Sequence, residues 1–201
     1  MTQRPDGIRG IRGTAITGTG MYVPDRIMTN HDLAKLVDTN DDWIVERTGI
    51  RERRIAAPDQ ASSDLALIAV RHALAMADVD PASVDHIILA TTTPDRILPS
   101  CACTLQQKLG AKRAAAYDMF AACTGFVFGM GLARGLIGSG VANTVVVVGV
   151  ETLSRIVDYT DRNTCVLFGD GAGAAVLQSC DAEAGMHAID MHSDGELGEV
   201  L

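Results

Sequence analysis

The sequence is short of positive charge. Seventeen Lys and Arg stand against 25 Asp and Glu, a formal net charge of −8, and the one basic concentration is the short Arg9/Arg12 region. That balance argues against a nucleic-acid partner, which needs a local cationic surface. Long apolar runs are missing too. The most apolar stretch, Thr144 to Val150, is far too short to cross a bilayer. Residues 1–13 lack the apolar core of a secretion signal and read as a frayed tail or weakly ordered lead-in. The five cysteines (Cys101, Cys103, Cys123, Cys165 and Cys180) are odd in number and none sits in a C-x-x-C pair. Neither a disulfide framework nor a metal-ligand spacing is therefore offered, and reduced thiols in a cytoplasm are the natural expectation. Cys101 and Cys103 flank a single alanine with no histidine nearby and are expected to pack in the core.

What is present is enough apolar content for a substantial interior: 47% hydrophobic residues against 21% charged. Thr14 to Tyr22 is β-prone and ends at Pro24-Asp25. Its Gly18 and Gly20 lack the third glycine and the following acidic residue of a dinucleotide loop. Thr29-Asn30 caps a short helix from His31 to Val37. Thr39-Asn40 caps a second over Asp41 to Thr48, which Gly49 closes. A long helix runs from Ser62-Ser63 to about Ala77, with Leu65, Ile68, Ala69, His72 and Met76 at core-facing spacing. Asp85 to Thr93 is a buried strand of the parallel-sheet type. Ser100 caps a helix to Leu109, which Gly110 stops.

A further strand leads to Cys123, and a glycine-bearing helix leaves it for about Ile137. Asn143 to Val150 is again a buried strand. Gly169-Asp170-Gly171-Ala172-Gly173 reads as a tight turn before a short strand, Ala174 to Gln178. A final strand is expected at Met186 to Met191 and a loop from Ser193 to Leu201. Strands alternating with helices predict an α/β layered fold on a mostly parallel sheet. Ligands in such folds gather beyond the carboxyl ends of the strands.

Cys123 is placed there, between a strand and a helix N-terminus where unpaired N–H groups and the helix dipole favour negative charge. Two readings stand: a small buried hydrophobe, or a nucleophilic thiol. Trp43, the single tryptophan, has Arg47 one helical turn on, so the two share a face. The pair is either a half-buried ring under a stacked arginine or a platform for something planar and anionic. The following helix carries Gly125, Gly129, Gly131 and Gly135. Each weakens a helix by about 1 kcal/mol relative to alanine, so close approach of neighbouring backbone is expected.

Four segments together resemble β-ketoacyl-acyl-carrier-protein synthase III: Asp41 to Arg53, Ala121 to Phe126, Asp161 to Thr164, and Phe168 to Val176. Their order and spacing fit from Thr14 onward. The resemblance implies a thiolase-like αβαβα fold of two similar halves. Residues 14–183 are then the N-terminal half, and residues 184–201 the start of the next within a longer polypeptide. It implies a homodimer and no permanently bound cofactor, with a coenzyme A thioester as substrate. Cys123 is the implied acyl acceptor, and malonyl-acyl-carrier protein supplies the carbanion. Trp43 and Arg162 are implied to stack on the adenine, with Arg47 and Thr48 beside the tunnel mouth and Leu98 and Phe168 in the acyl pocket.

Asn163 replaces a frequent family glycine at the tunnel lip. Leu98 stands where a bulky partner residue restricts acetyl-specific members, so longer or branched primers are expected to fit. The histidine and asparagine that complete the family site have no match among His31, His72, His86, His187 and His192. Two further readings remain open: priming of polyketide chains or simple acyl transfer, and a non-catalytic acyl-CoA-binding module.

Overall fold

The structure, a computed structural model, describes residues 12–200; most of the expected N-terminal tail, residues 1–11, lies outside them. The strands are β1 (Gly13–Tyr22), β2 (Arg26–Thr29), β3 (Glu52–Ile55), β4 (His86–Ala90), β5 (Ala115–Met119), β6 (Thr144–Thr152) and β7 (Asp170–Cys180). The helices are α1 (Asn30–Leu33), α2 (Asp41–Thr48), α3 (Ser62–Ala77), α4 (Cys101–Leu109) and α5 (Gly125–Gly138). Five strands form one sheet in the order β1-β7-β6-β4-β5, and β2 pairs with β3 apart from it. The β4–β5 and β4–β6 pairings are parallel; β6–β7 and β1–β7 are antiparallel. The mostly parallel sheet that the sequence predicts is therefore mixed. Only a 3-10 turn, Leu153–Arg155, and no α-helix separates β6 from β7, so the chain returns without the helical crossover that a parallel neighbour usually requires.

Alternation of side chains sorts the central strands. Ile87, Leu89, Val146, Val148, Ala174 and Val176 face α3 and α4. Ile88, Val145, Val147, Ala175 and Leu177 face Met130, Ala133 and Ile137 of α5. The described layers are thus helix, sheet, helix. Both sides of the sheet are covered, which is why β4 and β6 read as continuous apolar runs rather than alternating ones. The outer side of α5 is less covered: Val127 and Leu132 remain exposed.

Several expectations are corrected. Gly13 already belongs to β1, and Arg12 donates to the Ile137 and Ala142 carbonyls, so the lead-in is ordered by that point. Helix α1 is a single turn that ends at Leu33, with Thr29 and Asp32 bonded reciprocally at its start. The buried face of α3 is Leu65, Ala66, Ala69, Val70, Ala73 and Leu74, while His72 and Met76 are exposed. The small face turns inward because β1 lies directly on it: a Cβ at Gly18 or Gly20 would strike the Ala73 or Ala69 carbonyl.

Cys103 faces outward although Cys101 is buried. β4 ends at Ala90, and Thr91 to Thr93 turn away to bond Glu151. The expected turn at Gly169 to Gly173 lies mostly inside β7, with none of its glycines at positive φ. Their role is to leave space rather than to reverse the chain. Met186 to Met191 forms no strand, and Gly195–Val200 is a 3-10 turn rather than a loop. Among the described residues no helix is long and apolar enough to cross a membrane.

Candidate active site

Cys123 sits in a 3-10 turn, Ala122–Thr124, between the end of β5 and the first residue of α5. Ala122 adopts φ 45°, a left-handed conformation unfavourable for a residue with a Cβ. Thr124 holds the turn by donating its hydroxyl to the Ala121 carbonyl at 2.8 Å. On the far side Gly125 rests on Ala90: a Cβ there would lie 2.8 Å from that of Ala90. The close approach seats the N-terminus of α5 against the carboxyl end of β4. Cys123 is left exposed rather than packed inside.

The thiol borders a pocket of about 530 Å³. Phe126 and Phe168 contribute aromatic walls, and Ala90, Gly149 and Gly171 contribute surface with little or no side chain. A side chain at Gly149 would press on Phe126 at 3.4 Å. Gly149 inside β6 therefore lets Phe126 pack closely against the strand, and Gly171 near the start of β7 keeps that wall of the pocket low. The lining is mainly apolar, as a hydrocarbon chain requires.

One carboxylate, Glu151, also lines the pocket. It accepts from the Thr92 N–H at 2.8 Å, the Thr92 hydroxyl at 3.1 Å and the Thr93 hydroxyl at 2.5 Å. The sequence reading missed it, although a carboxylate directly after a buried strand is itself an indication. Leu98 does not line this pocket. It lies on the loop after β4, 81% exposed beside the equally bare Ile97. That loop is anchored at Asp95, which accepts from the Ser63 N–H at 2.9 Å and its hydroxyl at 2.6 Å.

A second group gathers on α2. The Asn40 side chain accepts from the Trp43 N–H at 2.8 Å and starts the helix; Gly49 at φ 74° ends it. Trp43 is half-buried, with the Arg162 guanidinium 4.1 Å and that of Arg47 4.6 Å from its ring centroid. Both distances are those of cation–π contacts. The Arg162 Nε is buried without a hydrogen-bond partner among the described residues. Thr48 is engaged locally, donating to the Ile44 carbonyl at 2.7 Å and accepting from the Ile50 N–H at 3.0 Å. Asn163 is exposed, its N–H on the Asp161 carboxylate at 3.0 Å, which shapes the turn carrying Arg162.

Two further buried groups brace these elements and were also missed. Asp170 accepts from the Ala56 N–H at 2.7 Å and from Ser154 at 2.9 and 2.6 Å. Arg53 donates across to Asn30 and to the Val166 carbonyl. Short, arginine-rich β2 and β3 carry no strand-like apolar alternation, so their pairing was not legible. Among the described residues no group of three or more His, Cys, Asp or Glu is placed to hold a metal ion.

Residues 117–195 match the family model described as 3-oxoacyl-[acyl-carrier-protein] synthase III. A β-ketoacyl-[acyl-carrier-protein] synthase III of Methylococcus capsulatus is 54% identical over 190 residues, 94% of this chain and 59% of that protein. The crystal structure of the synthase III from Thermus thermophilus superposes with a TM-score of 0.87 at 43% identity, covering 92% of this chain and 57% of that one. A priming β-ketosynthase from the R1128 polyketide pathway gives 0.85 at 36% identity, over 89% and 54%. The chain spans between 57% and 59% of the length of such curated relatives. The fold is thiolase-like, and in sequence and structure these 201 residues are similar to part of β-ketoacyl-[acyl-carrier-protein] synthase III over most of their length.

Proposed function

We propose that Cys123 accepts an acyl group from a coenzyme A thioester, the first step in starting a fatty-acid chain. The observation that carries this reading is the exposed Cys123 thiol at the start of α5, bordering an apolar pocket beyond the strand ends. The thiolate attacks the thioester carbonyl carbon. A new C–S bond forms, the bond to coenzyme A breaks, and the departing sulfur takes the proton lost by Cys123. The N-terminal turn of α5 is suited to stabilising negative charge on the attacking sulfur.

The acyl chain occupies the pocket between Phe126 and Phe168. The nucleotide end stacks on Trp43, with the Arg162 guanidinium that now lies 4.1 Å from the ring centroid swinging out to cover its other face, and Arg47 and Thr48 at the entrance. Coenzyme A is a substrate in this reading, and no resident cofactor is required. The acyl-enzyme is then attacked by the carbanion from malonyl-acyl-carrier protein. That step calls for the histidine and asparagine implied by the resemblance; among the described residues no histidine lines the Cys123 pocket. We assign acyl transfer to these residues, and decarboxylative condensation to the complete site.

Residues 14–183 are proposed as the N-terminal thiolase-like half and 184–201 as the start of the next. The working assembly is a cytoplasmic homodimer, in which the exposed Leu98 closes the partner subunit's acyl pocket. Leu98 is smaller than an aromatic residue and leaves space for longer or branched primers. Turnover of isobutyryl- against acetyl-CoA checks this, and a strict acetyl preference would sink it. The likeness to a polyketide-priming β-ketosynthase supports a second reading, priming of secondary-metabolite chains by the same acyl transfer. Transfer of radioactive acyl groups from acyl-CoA tests the common step. Label should be lost in Cys123→Ala, and label that persists would favour non-catalytic binding. Release of carbon dioxide from malonyl-acyl-carrier protein by the complete enzyme distinguishes condensation from transfer alone.

A further inference from the structure

Arg53 is 6% exposed and Asn30 1%, and neither touches the pocket described above. Arg53 Nη1 donates to Asn30 Oδ1 at 2.9 Å and to the Met28 carbonyl at 3.3 Å, and its Nη2 donates to the Val166 carbonyl at 3.0 Å. Asn30 in turn donates through Nδ2 to Asp41 at 2.8 Å and to the Ile50 carbonyl at 2.8 Å. Asp41 is the first residue of the helix that carries Trp43. Val166 lies within the segment joining Arg162, at Trp43, to Phe168, at the Cys123 pocket. The same segment presses on β3, since a Cβ at Gly169 would be 2.9 Å from that of Arg53.

A buried guanidinium bonded to neutral carbonyls is an expensive arrangement. Burial lowers the pKa of Arg53, although a guanidinium stays charged in a protein. Three rigid donors in one plane reach two separate segments at once, which a lysine ammonium on a flexible stem does not reproduce. Backbone pairing with β2 already holds β3 on one side. What the fork adds is a set distance and angle between the start of α2 and the Val166–Gly169 segment.

We infer that Arg53 is a positioning residue. Through Asn30 and Asp41 on one side and Val166 on the other, it holds the Trp43–Arg162 platform in register with the Phe168 wall, so that one thioester spans both. This rests on the reading that the platform receives the nucleotide of acyl-CoA. The pairing lets the two ends of a long substrate act together, and a loss of register is felt by a substrate that uses both ends.

The test compares Cys123 loading, followed by intact mass, from acyl-CoA and from the acyl thioester of N-acetylcysteamine, which has no nucleotide. In Arg53→Lys the half-saturating acyl-CoA concentration should rise about tenfold, the size of one lost charge-assisted hydrogen bond. The apparent rate constant with the truncated thioester should stay within about twofold, because its carbonyl and thiol meet in the pocket alone. Asp41→Ala, at the accessible end of the relay, should show the same split at about threefold and decides the matter if circular dichroism shows that Arg53→Lys fails to fold. Equal losses with both thioesters, or no loss with either, would overturn the positioning role alone. An unmodified chain that loads both thioesters with the same half-saturation would overturn the nucleotide-platform reading and this proposal with it.

Discussion

Substituting alanine for single glycines of α5 separates close packing from helix propensity, and Gly125 and Gly135 make the informative pair. A Cβ at Gly135 meets nothing within 4 Å, whereas one at Gly125 falls 2.8 Å from the Ala90 Cβ. Alanine is favoured over glycine by about 1 kcal/mol inside a helix, so Gly135→Ala should stabilise the chain by about that amount. At Gly125 the gain is smaller because the residue begins the helix. The overlap there lies between two atoms fixed to backbone, with no flexible tip to move aside. Overpacking of that kind costs about 1–3 kcal/mol. The net expectation for Gly125→Ala is a loss of about 1–2 kcal/mol. Relief must come from shifting α5 away from β4, which moves the turn holding Cys123, so acyl loading should also slow.

Urea denaturation followed by circular dichroism reads the stability difference, and intact mass reads loading. Gly125→Ala as stable and as fast as Gly135→Ala would refute the reasoning that Gly125 is there to seat the helix on Ala90.

Thiol reactivity should follow exposure. At mildly alkaline pH iodoacetamide should modify Cys123 and Cys103, while Cys101, buried and with its thiol pushed up to about 12 by burial, stays unmodified; peptide mass mapping gives the order. Trp43→Ala removes the ring that both arginines face, and should raise the half-saturating acyl-CoA concentration about tenfold in a loading titration. The Asp64 carboxyl also makes a pH prediction. Partial burial alone would raise its pKa, but the Lys108 ammonium at 2.6 Å and the Ala61 N–H at 2.9 Å outweigh that and hold it below 3.8. A depressed carboxyl stabilises the fold above its unfolded pKa and loses that contribution as pH falls through the folded value. Both partners are part exposed, so Asp64→Asn should cost under about 1 kcal/mol at neutral pH. Acid titration of urea midpoints should show this difference shrinking as pH drops below about 4.

Local signals were well read where one residue does one job. Asn40 and Ser100 as caps, and Gly49 and Gly110 as left-handed stops, appear where the sequence puts them. Buried β4 and β6 announce themselves by unbroken apolar runs. Glycine was harder, because the same residue serves turns, close contacts and open space. Gly49 is a stop, Gly125 a contact and Gly171 part of a pocket wall, and only the neighbours in space tell them apart. In α3 the spacing found Leu65 and Ala69 but wrongly added His72 and Met76, since the glycines of β1 select alanines at the C-terminal end of the buried face. Sheet direction was hidden for a similar reason. An antiparallel β7 and a parallel strand look alike when both faces are covered. At the site, the thiol and the tryptophan carried local patterns that drew notice. Glu151, Asp170 and Arg53 act through partners distant in sequence, and no spacing rule brings such partners together.

The central claim concerns Cys123, and it is tested most directly by incubating the chain with one equivalent of an acyl-CoA and mapping the added mass to a peptide. A single acyl group on Cys123, with Cys103 bare despite its exposure and coenzyme A released in equal amount, is the expected result. Acyl mass spread over both exposed cysteines, or none on Cys123, would contradict it.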